Sequence, residues 1–123
     1  MPVRLRVLAA TAFAGLLIAP TALMLSAHAG GDPVEGRKLF LRDNCYSCHG
    51  SRAEGGMCPN LRNNPPNESD VTKAVREGKQ AGMPPFPDLT DQDILDLTAY
   101  FESLGTANEP IFTHWWEPGV PTR

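Results

Sequence analysis

Cys45-Tyr46-Ser47-Cys48-His49 is the stretch on which the reading of this chain turns. It is C-x-x-C-H, the attachment sequence for a c-type haem. Two cysteines three residues apart lie on one side of a helical turn. There they can form thioethers with the two vinyl groups on one edge of the macrocycle, and the next residue brings its imidazole under the iron. Two other chemistries use parts of the same stretch. A thiol–disulfide pair expects a βαβ context, and no strand pattern of any length is present. A zinc site needs four ligands. Cys45, Cys48, His49 and Cys58 would supply four, but adjacent Cys48 and His49 make poor tetrahedral partners.

A haem electron carrier wants a sixth iron ligand, and a thioether opposite an imidazole raises the reduction potential. Met83 lies 34 residues beyond His49, enough chain to reach the other face. Pro84 and Pro85 follow it and stiffen its loop. Met57, 8 residues beyond His49, has a tight path round the haem edge, at about 3.3–3.6 Å per extended residue. His114 would give bis-histidine ligation from the tail, and an open sixth position is the remaining alternative.

Outward from the motif, three helices are expected. Asp32-Pro33-Val34-Glu35 reads as a capped start with a capping box closed by Glu35. This helix runs toward Asn44 with Val34, Leu39 and Phe40 as its apolar members. Gly36 inside it costs helix propensity, which a close helix approach would explain. Residues 45–52 read as short and irregular. Residues 69–77 predict a short helix with Val71, Ala74 and Val75 inward and Gly78 as its stop. Thr90-Asp91-Gln92-Asp93 caps a third helix, in which Ile94, Leu97, Phe101 and Leu104 repeat at helical spacing before Gly105. Pro-rich sequence containing Trp115-Trp116 follows.

The 123 residues carry a net charge of −3. Residues 1–29 contain no acid and only Arg4 and Arg6 as bases, so residues 30–123 hold 9 Lys+Arg against 14 Asp+Glu. That balance argues against a nucleic-acid binder, which would carry a basic stripe. Residues 7–25 are apolar, broken by Gly15 and Pro20, and Ala27-His28-Ala29 fits a small-x-small cleavage site. This is the layout of a secretory signal peptide cut after Ala29, giving a periplasmic product with no membrane span. The rival is an uncleaved anchor, since 19 apolar residues just span a bilayer. The expected division is a signal peptide at 1–29, one domain at 30–105 and a tail at 106–123.

The motif, the Gly82-Met83-Pro84-Pro85-Phe86 segment and Leu97-Thr98-Ala99-Tyr100-Phe101 together resemble a class I (monohaem) cytochrome c over residues 32–104. The resemblance implies an all-α fold of three to four helices around one covalently bound haem c, with the first and last helices crossing and an irregular C-terminal tail. Gly36 and Phe40 would meet Leu97 and Tyr100. Cys45 and Cys48 would bind the haem, with His49 and Met83 as axial ligands. The Pro59 carbonyl would accept the far His49 proton, and Leu61 would pack on the haem. One departure is Cys58, where the family pattern has glycine. A buried small hydrophobe is one reading of it; an intermolecular disulfide or a reactive thiol is the other.

The function implied is electron transfer rather than catalysis. Donor and acceptor would be redox proteins, with a looser resemblance to the cytochromes that serve periplasmic quinoprotein alcohol dehydrogenases and with an oxidase downstream. The alternatives are a haem sensor or small peroxidase-type enzyme with open iron, or an anchored cytochrome subunit of a larger enzyme. Only Lys38, Lys73 and Lys79 of residues 30–123 could form a lysine ring for an acidic partner. The acids at 88–96 read as helix-start and solubility groups, or as a face for a basic partner. Trp115-Trp116 would either clamp back on the domain or form a partner patch.

Overall fold

The computed structural model describes residues 30–117, so the signal peptide expected at 1–29 and the last six residues of the expected tail lie outside the described residues. Four helices are present among them: α1 Pro33–Arg42, α2 Tyr46–His49, α3 Glu68–Glu77 and α4 Asp91–Ser103. The all-α expectation is met, and the one β-type pairing is an isolated bridge between Lys79 and Met83.

Asp32 caps α1, accepting from Val34 N at 2.7 Å and Glu35 N at 3.4 Å, with Pro33 in the first turn. The capping box expected with Glu35 does not form. Glu35 pairs with Lys38 instead, and the Asp32 backbone N–H donates to Asp96 Oδ1 of α4 at 2.8 Å. The start of α1 is thereby tied to the last helix. Its other end closes in a Schellman motif. Asn44 takes a left-handed φ of 58°, Cys45 N donates to Phe40 O at 3.1 Å, and Asn44 N donates to Leu41 O at 3.3 Å. This stop delivers Cys45 directly from the helix end, so residues 46–49 form one helical turn rather than the irregular stretch expected.

α1 and α4 cross at Gly36. A Cβ there would lie 2.0 Å from Asp96 O and 2.7 Å from Tyr100 Cβ. The contact is thus with Asp96 and Tyr100, while Phe40 packs on Tyr100 and Phe101 at ring-centroid distances of 5.4 and 6.1 Å. Leu97 joins the same core. Val34, expected inside, is 38% exposed, because the buried face of α1 runs through Gly36, Leu39 and Phe40. Gly31, which reads as a flexible lead, is packed: a Cβ there would meet Leu95 O at 1.9 Å.

α3 begins one residue earlier than expected, at Glu68, because Asn67 caps it through Asp70 N at 3.0 Å. Val71 and Val75 face the core and Gly78 stops the helix with φ 71°. Thr90 and Asp93 close the capping box at the head of α4. Asp93 and Asp96 are buried, so half of the acidic run at 88–96 serves internal hydrogen bonds and not a surface. Lys38 is buried as well, which removes it from any lysine ring.

Candidate haem site

A cavity of about 350 Å³ opens between the helices. Phe40, Leu97 and Phe101 form its back, and Val71, Ala74 and Val75 of α3 form one side. Cys45, His49, Cys58, Pro59 and Leu61 line another wall, and Met83 lies on the lining of the same cavity. A large, mostly apolar space bordered by a thiol, an imidazole and a thioether fits a flat apolar macrocycle that carries a metal. It does not fit zinc. Among the described residues no three His, Cys, Asp or Glu side chains converge to hold a metal ion.

The turn Tyr46–His49 forms because His49 N donates to Cys45 O at 3.0 Å and Gly50, with φ 84°, ends it. The loop after it is laced back onto the motif. Cys58 N donates to Cys48 O at 3.1 Å, and Leu61 N donates to Ala53 O at 2.9 Å. That return places Pro59 O 2.9 Å from His49 Nδ1, the contact that the family resemblance implies. The bond fixes the ring plane and assigns the Nδ1 proton, leaving Nε2 as the free donor atom.

On the far side, Lys79 N donates to Met83 O at 2.8 Å and Gly82 N to Lys79 O at 3.0 Å. Gly78 and Gly82 have φ of 71° and 107°, a region side chains avoid, so this turn is tight. Pro84 and Pro85 lead to Phe86, whose N–H returns to Val75 O at 2.7 Å. The other two candidate ligands stand elsewhere. Met57 is 85% exposed, and His114 pairs with Glu117 in the tail at 3.2 Å. Neither lines the cavity.

The thiols differ. Burial and then the Asp43 charge push Cys45 up to about 12. Desolvation and the neighbouring Cys48 raise Cys58. Cys58 is half-buried, so it sits on the cavity lining beside Cys48 rather than in the core.

The tail closes the back of the attachment loop, by residues that sequence reasoning did not single out. Glu109 accepts from Arg62 Nη1 at 2.6 Å and Nη2 at 2.9 Å, from Arg52 Nη2 at 2.9 Å and from Gly105 N at 2.8 Å. Phe112 O accepts from Arg37. The clamp is therefore Glu109 and Phe112, whereas Trp116 is 60% exposed and stacks on His114 at 4.7 Å. The long separation along the chain, 47 residues from Arg62 to Glu109, left no local signal. The Arg62 guanidinium, with further donors, holds the Glu109 carboxyl down at about 2, below its ordinary 4.5. Its stabilisation is complete above pH 4.5 and is lost as pH falls through about 2. Glu109→Gln is expected to cost about 2 kcal/mol at neutral pH. Acid melts of the two proteins should converge between pH 4.5 and 2; melting curves that stay parallel would refute the clamp.

The family model for subunit III of cbb3-type cytochrome c oxidase matches residues 31–101. No curated protein matches the chain. Among solved structures, the c-type cytochrome SorU from Sinorhizobium meliloti is similar at 31% identity and a TM-score of 0.50, over 63% of this chain and 92% of that one. Cytochrome c6 from the diatom Phaeodactylum tricornutum aligns at 26% identity and a TM-score of 0.47, over 60% of this chain and 95% of that one. The matched family residues stop at residue 101, before Glu109 and Phe112 of the clamp.

Proposed function

From the premise that the chain belongs to the c-type cytochrome family, matched through the model for subunit III of cbb3-type oxidase, we propose that it is a periplasmic electron carrier with a closed His49/Met83 iron site. The cofactor is a covalently bound c-type haem, which when bound supplies a one-electron ferrous–ferric couple. Cys45 and Cys48 hold it through thioethers. His49 ligates through Nε2, with Pro59 O keeping the ring in place. Met83 ligates through sulfur, and Leu61 covers the macrocycle.

The observation that carries this reading is that His49 and Met83 line one apolar cavity while each is fixed from behind, His49 by Pro59 O and Met83 by Lys79 N. Ligands set in advance need little rearrangement when charge changes. With His49 and Met83 both holding the iron, no position at the metal would be left for a substrate. The oxidised protein should show a sulfur–iron charge-transfer band, and the reduced protein should not bind carbon monoxide. A missing band with rapid carbon monoxide binding would instead support the runner-up, an open-iron sensor or peroxidase-type enzyme.

The donor we propose is a quinoprotein alcohol dehydrogenase, with an oxidase as acceptor. Burial of Lys38 leaves Lys73 and Lys79 as exposed lysines, a poor ring for an acidic partner, and transient redox encounters depend on such charge for steering. Stopped-flow reduction that shows no salt dependence with any such dehydrogenase would end this assignment. The description of the matched family favours a second reading, a cytochrome subunit anchored by residues 7–25 in a larger oxidase. No helix among the described residues is long and apolar enough to cross a membrane, so the anchor would have to be that segment. N-terminal sequencing of the exported protein separates the two: a chain starting at Gly30 is the carrier, and one starting at Met1 or Pro2 is the anchored subunit.

A further inference from the structure

Arg37 is the most enclosed arginine among the described residues, 4% exposed at the crossing of α1 and α4. Its Nη1 donates to Tyr100 OH at 2.8 Å and to Ser51 O at 2.5 Å. Its Nε and Nη2 donate to Phe112 O at 3.3 and 3.1 Å. The guanidinium carbon lies 5.9 Å from the Phe40 ring centroid and 5.6 Å from that of Tyr100. Every acceptor is neutral, being two carbonyls and a phenol that burial keeps protonated. The carboxylate of the neighbouring tail, Glu109, is engaged by Arg52, Arg62 and Gly105 N.

Burying a charge without an opposite charge bonded to it costs several kcal/mol. A neutral glutamine could bond the same carbonyls. The charge itself therefore calls for an account. Phe40, the ring under the guanidinium, is a wall of the cavity. A cation inside the protein acts through a low dielectric and is little screened by salt. Arg37 itself is not on the lining; Asp70 and Lys79, which are, are exposed and so are screened.

We infer that Arg37 is a potential-setting residue: its buried, neutrally bonded guanidinium behind Phe40 disfavours the added positive charge of the ferric state and so raises the reduction potential. This rests on the reading that the haem fills the cavity. Losing an electron leaves the iron centre one unit more positive, and a fixed cation nearby opposes that change. The aromatic stacking and the bonds to Ser51, Tyr100 and Phe112 position the charge.

The test is the midpoint potential of the full-length, haem-loaded protein, by spectroelectrochemical titration at low and high salt. Arg37→Gln and Arg37→Met should both lower the potential, by a shift that persists at high salt. Arg37→Lys, which keeps the charge and loses the planar fork, should stay near the wild-type value. So should Tyr100→Phe, which removes an acceptor only. Neutral variants at or above the wild-type potential would overturn the inference. So would a fall in the Lys or Tyr100→Phe protein as large as that in Arg37→Gln, because lost packing and water entry would then be the cause. Should the neutral variants fail to take up haem, Arg37→Lys and Tyr100→Phe still decide it: both holding the wild-type potential supports the charge as the cause, and a clear fall in either overturns it. Absence of the sulfur–iron band in the wild type would defeat the Met83 assignment alone, since the difference between the Gln and Lys variants does not depend on it.

Discussion

Gly36→Ala is expected to melt well below the wild-type protein, and Gly36→Val is expected not to reach the native fold. The added Cβ would lie 2.0 Å from the carbonyl oxygen of Asp96 and 2.5 Å from its carbon. These are backbone atoms of α4, which cannot swing aside as a side-chain tip can. Alanine gains about 1 kcal/mol of helix propensity over glycine. Against this stands overpacking at a helix crossing, about 3 kcal/mol or more when the backbone itself must shift. The separation of α1 from α4 would also strain the Asp32 N–H bond to Asp96 and the Phe40–Tyr100 contact. The net loss of about 2 kcal/mol corresponds to roughly 10 °C in a domain of this size. Thermal melts of the ferric protein followed in the haem absorption test this. A Gly36→Ala protein that melts at or above the wild-type temperature would show that the helices can part at no cost.

The second large effect is expected at Met83. Met83→Ala should lose the sulfur–iron charge-transfer band, bind carbon monoxide when reduced, and fall in potential by on the order of 100 mV, a fraction of the ~0.8 V span over which axial ligands set haem potentials. The loop itself should survive. Its turn is held by the backbone bonds between Lys79, Gly82 and Met83 and by the return of Phe86 to Val75, none of which uses the sulfur. Met57→Ala is the matched control, since that side chain is 85% exposed. A band that persists in Met83→Ala and disappears in Met57→Ala would reverse the assignment.

These two sites differ in how they are read. Met83 announces itself through its neighbours: two prolines and a glycine fix a methionine far enough from His49 to reach the opposite face. The C-x-x-C-H motif, the Thr90 cap and the apolar repeat of α4 are equally local, because hydrogen-bond geometry and a 3.6-residue period are written within one turn or two. From these the sequence by itself determines an all-α chain, its haem-attachment motif and the candidate ligands.

What the tertiary structure decides is where charge and small residues end up when distant segments meet. The Asp32 N–H donates to Asp96, 64 residues away, and not to the Glu35 side chain. Acids that read as helix-start and solubility groups divide, with Asp93 and Asp96 buried and Asp91 exposed beside Arg76. Lys38, which reads as a surface cation, is interior, as is Arg37, because α1 is covered on one side by α4 and on another by the returning tail. The tail holds through Glu109 and Phe112, while Trp116 is exposed. No propensity or period encodes such contacts, since their energies depend on partners brought together only by folding, and a buried charge is intelligible only once its surroundings are known.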